Sequence, residues 1–225
     1  MDVRAEAGRI GALADPTRQA LYEYIVAQPE PTGREAAASA LDLPPHVARF
    51  QLDRLVDAGL LEVEFRRLSG RTGPGAGRPS KLYRRATGTI SVSLPERRYD
   101  LVGHLLAEAI ERTADGTALP IALDAAAKEE GRMLGESAPE VEGDELDRTA
   151  AALATQGYEP RLTDDRLILA NCPFDSLARE HTGLVCAMNH AYVEGVVDGL
   201  GCDHACAHLD PAEGRCCVTV TRSDR

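Results

Sequence analysis

The sequence predicts an α+β chain in two unlike parts, and three observations carry that reading. Apolar residues recur at helical spacing along most of its length. Between these stripes lie short alternating segments bounded by Gly, Pro, Asn or Asp, so helices and short antiparallel strands are interleaved. Charge is divided: residues 1–90 carry 13 Lys/Arg against 11 Asp/Glu, whereas residues 91–225 carry 12 against 25, within a net charge of −11. All six cysteines fall after residue 171. A nearly neutral part with a basic arm and an acidic part rich in thiols imply different partners for the two.

The 225 residues suffice for one large or two modest domains. Trp is absent and aromatic residues make up 4%, so the cores must rest on Leu, Val, Ile and Ala. No run of about 18 apolar residues occurs, which predicts no membrane span. Met1 to Glu6 is polar and mixed in charge, unlike a signal peptide, and the expected location is the cytoplasm.

In order, Val3 to Ala14 reads as a short helix with Ile10 and Leu13 inward. Asp15 caps the next helix and Pro16 opens it, with Leu21, Tyr24, Ile25 and Gln28 along one side. Thr32, with Glu35 three residues on, has capping-box spacing before a short alanine-rich helix ending at Ala40. Leu41 to Leu43 is the turn.

The stretch Asp42 to Arg85 organises the first part. Asp42 is placed to cap, and Pro44-Pro45 suit a first helical turn. Ala48, Leu52, Leu55 and Gly59 form the inward stripe, and Gly59 stops the helix. The other face presents His46, Arg49, Phe50 and Arg54, with Asp53 and Asp57 among them. A hairpin follows. From Phe65 to Arg85 it holds seven basic residues (Arg66, Arg67, Arg71, Arg78, Lys81, Arg84, Arg85) and no acidic one. Helix, turn, helix and basic hairpin together read as a winged helix-turn-helix. Its predicted contacts to double-stranded DNA are Pro45, His46, Arg49, Phe50 and Arg54 in the major groove, with Arg78 and Lys81 on phosphates or in the minor groove.

Beyond this, Thr87 to Leu94 reads as a strand or an extended linker. Glu96 to Thr113 carries Val102, Leu105, Leu106 and Ala109 on one stripe, a candidate dimer helix if that face is not used within its own chain. Pro120 to Gly135 is a further helix and residues 138–143 an acidic linker. Asp144 caps a helix running to about Thr155, which Gly157 stops. Hairpins are expected at 158–170 and 205–221, with one long helix, Ser176 to Leu200, between them. Helix, hairpin, helix, hairpin makes a small α+β domain. The expected domains are 1–88 for DNA binding, 89–140 for linker and dimerisation helices, and 141–225 for a cysteine-rich sensor.

Cys172, Cys186, Cys202 and Cys217 are too widely spaced for a zinc ribbon, so only a folded domain can gather them. By chemistry, four thiolates suit an iron–sulfur cluster or zinc equally. His190 shares a helix face with Cys186 and is a possible further ligand, while His181 points away and reads as a core histidine. Strand alternation allows one of Cys216 and Cys217 to face the site, which leaves Cys216 as alternative to Cys217. Cys206 is spare or part of a local Cys202-Asp203-His204-Ala205-Cys206 group. The bland reading, that these thiols are small core residues, stays open.

Two resemblances follow from these residues. Leu13 to Leu21 resembles the opening of bacterial winged-helix repressors of the arsenic-repressor type. Asn171-Cys172-Pro173-Phe174, Leu177 to His181, Leu184-Val185-Cys186 and Gly214-Arg215-Cys216-Cys217-Val218 resemble the C-terminal domain of SufR-type regulators. Val47 to Leu55 and Gly77 to Tyr83 resemble that family's reading helix and wing. The resemblance implies a homodimeric repressor that carries a [4Fe–4S] cluster and controls iron–sulfur assembly genes. The metal ligands expected here are Cys172, Cys186 and Cys217, with Cys202 as fourth. A Zn2+-containing repressor and a winged-helix module with core cysteines are the rival readings. Enzyme activity is not expected, because the chain has neither a Cys-x-x-Cys pair nor a nucleotide-binding Gly motif.

Overall fold

A computed structural model describes residues 3–67, 79–163 and 165–223. The chain divides into two compact units, Met1–Val92 and Ser93–Arg225. The segment expected to be a separate dimerisation part therefore belongs almost wholly to the second unit.

The first unit runs α1 (Val3–Gly11), a 3-10 turn, α2 (Pro16–Val26), β1 (Thr32–Gly33), α3 (Arg34–Ala40), α4 (Pro45–Asp57), β2 (Leu61–Arg66) and β3 (Ser80–Arg85). Asp15 caps α2 as expected, accepting from the Arg18 N–H at 3.0 Å. Two other expected caps are corrected. Thr32 and Gly33 pair with Tyr83 and Leu82 to form β1, so the Thr32 backbone serves the sheet and α3 starts at Gly33 without a side-chain cap. Asp42 adopts φ 51°, a left-handed turn conformation that a short polar residue tolerates. The N-cap of α4 is Pro44, and Pro45 at the first position removes one donor that would otherwise need a partner.

Gly59, at φ 67°, ends α4 in a Schellman motif: its N–H reaches Val56 O at 2.8 Å and the Leu60 N–H reaches Leu55 O at 2.9 Å. Arg9 of α1 donates to the carbonyls of Ala58 and Gly59, satisfying the same helix end. Leu21, Ile25, Leu52, Leu55, Leu61 and Tyr83 form the core, and Ala37, Ala38 and Ala48 let α3 and α4 meet on small side chains. The sheet order is β1-β3-β2, antiparallel, with β2 and β3 in register from Leu61↔Arg85 to Arg66↔Ser80. The tip of this hairpin, including Arg71, Gly77 and Arg78, lies outside the described residues. Thr87 to Leu94 forms no strand, which leaves the linker reading of that segment.

The second unit contains α5 (Tyr99–Arg112), α6 (Leu119–Ser137), α7 (Glu145–Ala154), β4 (Pro160–Leu162), β5 (Arg166–Leu169), α8 (Asp175–Glu180), α9 (Thr182–Gly199), β6 (Ala205–Leu209) and β7 (Val218–Arg222). Asp144 caps α7 in a full capping box with Asp147. Three expectations change. The long helix from Ser176 is two helices, broken at His181 where φ −128° and ψ 47° leave the helical region. The two hairpins are one antiparallel sheet, order β4-β5-β7-β6, because β5 pairs with β7 through Leu167↔Val220. Of the expected stripe, Val102, Leu105 and Ala109 of α5 are buried in the core of their own chain and Leu106 packs half-buried against it, so that face packs within the chain.

That core rests on Leu, Val and Ala, with Tyr158 and Phe174 edge to face at 6.4 Å. At its centre α6 and α9 cross on four glycines. A Cβ at Gly131 would lie 2.0 Å from Tyr192 O, and one at Gly195 2.0 Å from Lys128 O. At Gly135 and Gly199, one turn on in each helix, an added Cβ would lie 2.5 Å from Val196 O and 2.2 Å from Arg132 O. Among the described residues no helix is long and apolar enough to cross a membrane.

Candidate nucleic-acid surface and thiol cluster

On α4, the residues Pro45, His46, Arg49, Phe50 and Arg54 are exposed, while Ala48, Leu52 and Leu55 face the core. Phe50 is 57% exposed, with the Arg54 guanidinium 5.5 Å above its ring. Such a stacked cation presents a flat donor edge outward. Lys81 is not a free cation. Its ammonium sits 2.6 Å from Asp53 Oδ1 on α4, the Tyr83 hydroxyl donates to the same oxygen at 3.0 Å, and Arg49 Nε lies 3.8 Å from the other carboxylate oxygen, Oδ2. Burial opposes ionisation of Asp53, but the hydrogen bonds from Lys81 and Tyr83 together hold its carboxyl below the usual range. Burial and the Asp53 bond push the Tyr83 phenol up. The hairpin lacks acidic residues in sequence from Phe65 onward, but the fold supplies them. Glu62 pairs with Arg84 at 2.7 Å, and Glu64 pairs with Arg66 at 2.8 Å. A cleft of about 570 Å³ runs between α4 and β3, lined by Arg34, Arg49, Asp53, Phe65, Lys81 and Tyr83.

In the second unit four thiols come together. Cys172 lies in the loop after β5, Cys186 one turn into α9, and Cys216 and Cys217 on the lead into β7. Each sulfur lies near enough to shift the ionisation of the next, Cys172 with Cys216, Cys216 with Cys217, and Cys217 with Cys186. Because β7 begins at Val218, Cys216 and Cys217 precede the strand and strand alternation does not separate them. Both of these residues, between which the sequence offered a choice, stand among the neighbouring thiols. Hydrogen bonds from Cys172 and then Cys217 hold Cys216 well below the usual thiol range, against the pull of burial. The Val218 N–H and the Asn189 amide add to this. Cys172 is pushed up, first by its bond with Cys216 and then by burial; Cys217 is raised in the same way, with its bond to Cys186 adding.

Asn189 of α9 is fully buried, and sequence reasoning missed it. Its Nδ2 donates to Cys216 Sγ at 3.1 Å and its Oδ1 accepts from the Tyr158 hydroxyl at 2.5 Å. A lone amide inside an otherwise apolar helical run was the available signal, since a buried amide must find partners. The Phe174 N–H acts against the rise of the Cys172 thiol. Among the described residues, no group of three or more His, Cys, Asp or Glu stands ready to hold a single metal ion.

The other predicted groups lie elsewhere. Cys202, expected as fourth ligand, is buried against Glu145 and near Thr149 and Arg148. Burial raises its thiol. Cys206 lies on β6. His190 Nε2 lies 3.1 Å from the Ala207 carbonyl, so its ring serves β6 and not Cys186. His181, expected in the core, is exposed at the helix break.

A family described as a helix-turn-helix domain matches residues 13–64, from the 3-10 turn through α2, α3 and α4 into β2. No curated protein and no solved structure matches the chain. The matched segment and the exposed face of α4 support a winged-helix, DNA-binding transcription regulator.

Proposed function

We propose that this regulator acts as a homodimer on a DNA operator and that a four-thiolate group controls its hold on DNA. The group is a [4Fe–4S] cluster, with Zn2+ as the alternative, at Cys172, Cys186, Cys216 and Cys217. One observation carries the reading: four cysteines from three sequence-distant segments lie near enough to shift one another's ionisation, and the buried Asn189 amide donates to Cys216 Sγ at 3.1 Å. Soft sulfur donors with N–H bonds to them are the donor set such a group takes. Bound there, a cluster would supply oxidant-sensitive one-electron chemistry, and zinc a redox-inert tie. Asn189, fixed by Tyr158, sets the direction of Cys216 Sγ and stabilises its thiolate. On the DNA side, α4 presents Arg54, Arg49 and His46 to base edges, and the hairpin follows the backbone. Genes for iron–sulfur assembly or redox balance are the target class, on the resemblance of the thiol segments.

The experiment is anaerobic purification followed by an absorption spectrum and iron, sulfide and zinc analysis, with C172S and C186S in parallel. Brown protein that loses its colour in both variants supports the cluster. Colourless protein with about one zinc per chain makes the site zinc. Metal-free protein whose DNA binding is unchanged in both variants returns the cysteines to the core.

A further inference from the structure

We infer that Arg97 and Asn171 form a relay that ties the thiol cluster to residues 93–98, the segment through which the chain leaves the DNA-binding unit. This rests on the reading of the cysteines as a controlling site. Arg97 Nη1 donates to Asn171 Oδ1 at 2.5 Å and to the carbonyl of Cys172 itself at 3.1 Å. Arg97 Nη2 faces Asp175 at 3.8 Å. Asn171 returns two bonds, from Nδ2 to Glu96 O at 3.2 Å and to Gly157 O at 2.6 Å. The Arg98 N–H donates to Pro173 O at 3.1 Å, and the Arg97 N–H to Ser93 Oγ at 2.8 Å. A Cβ at Gly157, whose φ is 84°, would meet the Glu96 side chain at 2.9 Å, so a larger residue there would displace Glu96.

The physical consequence lies in the Cys172 peptide. Its side chain belongs to the thiol chain and its carbonyl belongs to Arg97. Side chain and carbonyl share the Cys172 Cα, so a change at Sγ that rotates the peptide plane after Cys172 turns its carbonyl with it. Arg97 and Asn171 are mostly buried, so water does not readily replace a lost partner. Residues 93–98 then hold or loosen with the state of the site. These two residues are positioning residues: neither supplies a ligand.

The test is hydrogen exchange of the amides of residues 93–98 in the full chain. It compares protein reconstituted anaerobically with ferrous iron and sulfide against chelator-stripped protein, for the wild type, R97A and R97K. Wild type is expected to exchange about tenfold faster when stripped, a local opening rather than global unfolding. R97A is expected to bind the same iron and sulfide yet exchange fast in both states. R97K, whose ammonium lacks the guanidinium fork, is expected to give a ratio below about threefold, and it serves as the readout if R97A does not fold. Wild-type loading with no change in exchange, or an R97K ratio equal to wild type, overturns the relay and leaves the cofactor reading standing. Wild type that binds neither iron nor zinc overturns the cofactor reading and the relay with it.

Discussion

Asp53 on α4 and Asn189 on α9 each hold two partners, and they do so under opposite conditions. The Asp53 carboxylate is 37% exposed and engages Lys81 and Tyr83, with Arg49 near. Exposed ion pairs contribute about 1 kcal/mol or less, so phosphate oxygens can take Lys81 or Arg49 at little cost. Asn189 is 0% exposed and links Tyr158 to Cys216. A partner lost there leaves a buried polar group unmet, at about 1–3 kcal/mol. The first network is suited to exchanging partners with a charged duplex. The second is suited to keeping sulfur atoms in one geometry.

Three substitutions break or sharpen that contrast. G195A is expected to cost most, about 3 kcal/mol in denaturant unfolding, since the added Cβ meets Lys128 O and neither helix can move without the other. Wild-type stability in G195A would show the α6–α9 contact to be slack and the rigid half of the comparison to be mistaken. N189A should follow at about 2 kcal/mol, since it orphans the Tyr158 hydroxyl and removes a donor from Cys216. A loss near zero, measured in the same way, would put Asn189 on a par with Asp53.

D53N should have the smallest effect on stability and one that depends on pH. The folded carboxyl lies below its ordinary value of 3.8, so its network stabilises above that range and is lost as pH falls through the depressed value. The wild type should therefore lose its advantage over D53N in thermal melts as pH falls from about 5 to about 3. A gap that stays constant across that range contradicts the assignment. Freed of Asp53, Lys81 and Arg49 should also bind DNA more tightly, with a steeper salt dependence.

Legibility followed the range of the interaction. Pro45 and Gly59 bound α4 by rules that act within one helical turn, and Asp15 and Asp144 cap as their spacing indicates. Thr32 and Asp42 carry equally good capping chemistry, but pairing with β3 and a left-handed turn claim their backbones first. The α6–α9 glycines stand at i, i+4 in each helix, a spacing visible in the sequence whose partner helix is not. Cys216 stands in the sequence reading only as the alternative to Cys217, because alternation applies within a strand and these residues precede it.

The sequence by itself determined where most helices start and stop, which face of α4 is polar, how charge is divided and that the thiols are confined to the second part. These depend on neighbours a few residues away. Tertiary structure decided which four cysteines meet, that Cys202 is not among them, that two hairpins make one sheet and that the α5 stripe is buried. Each of these joins segments far apart in the chain, and packing among many competing partners selects them.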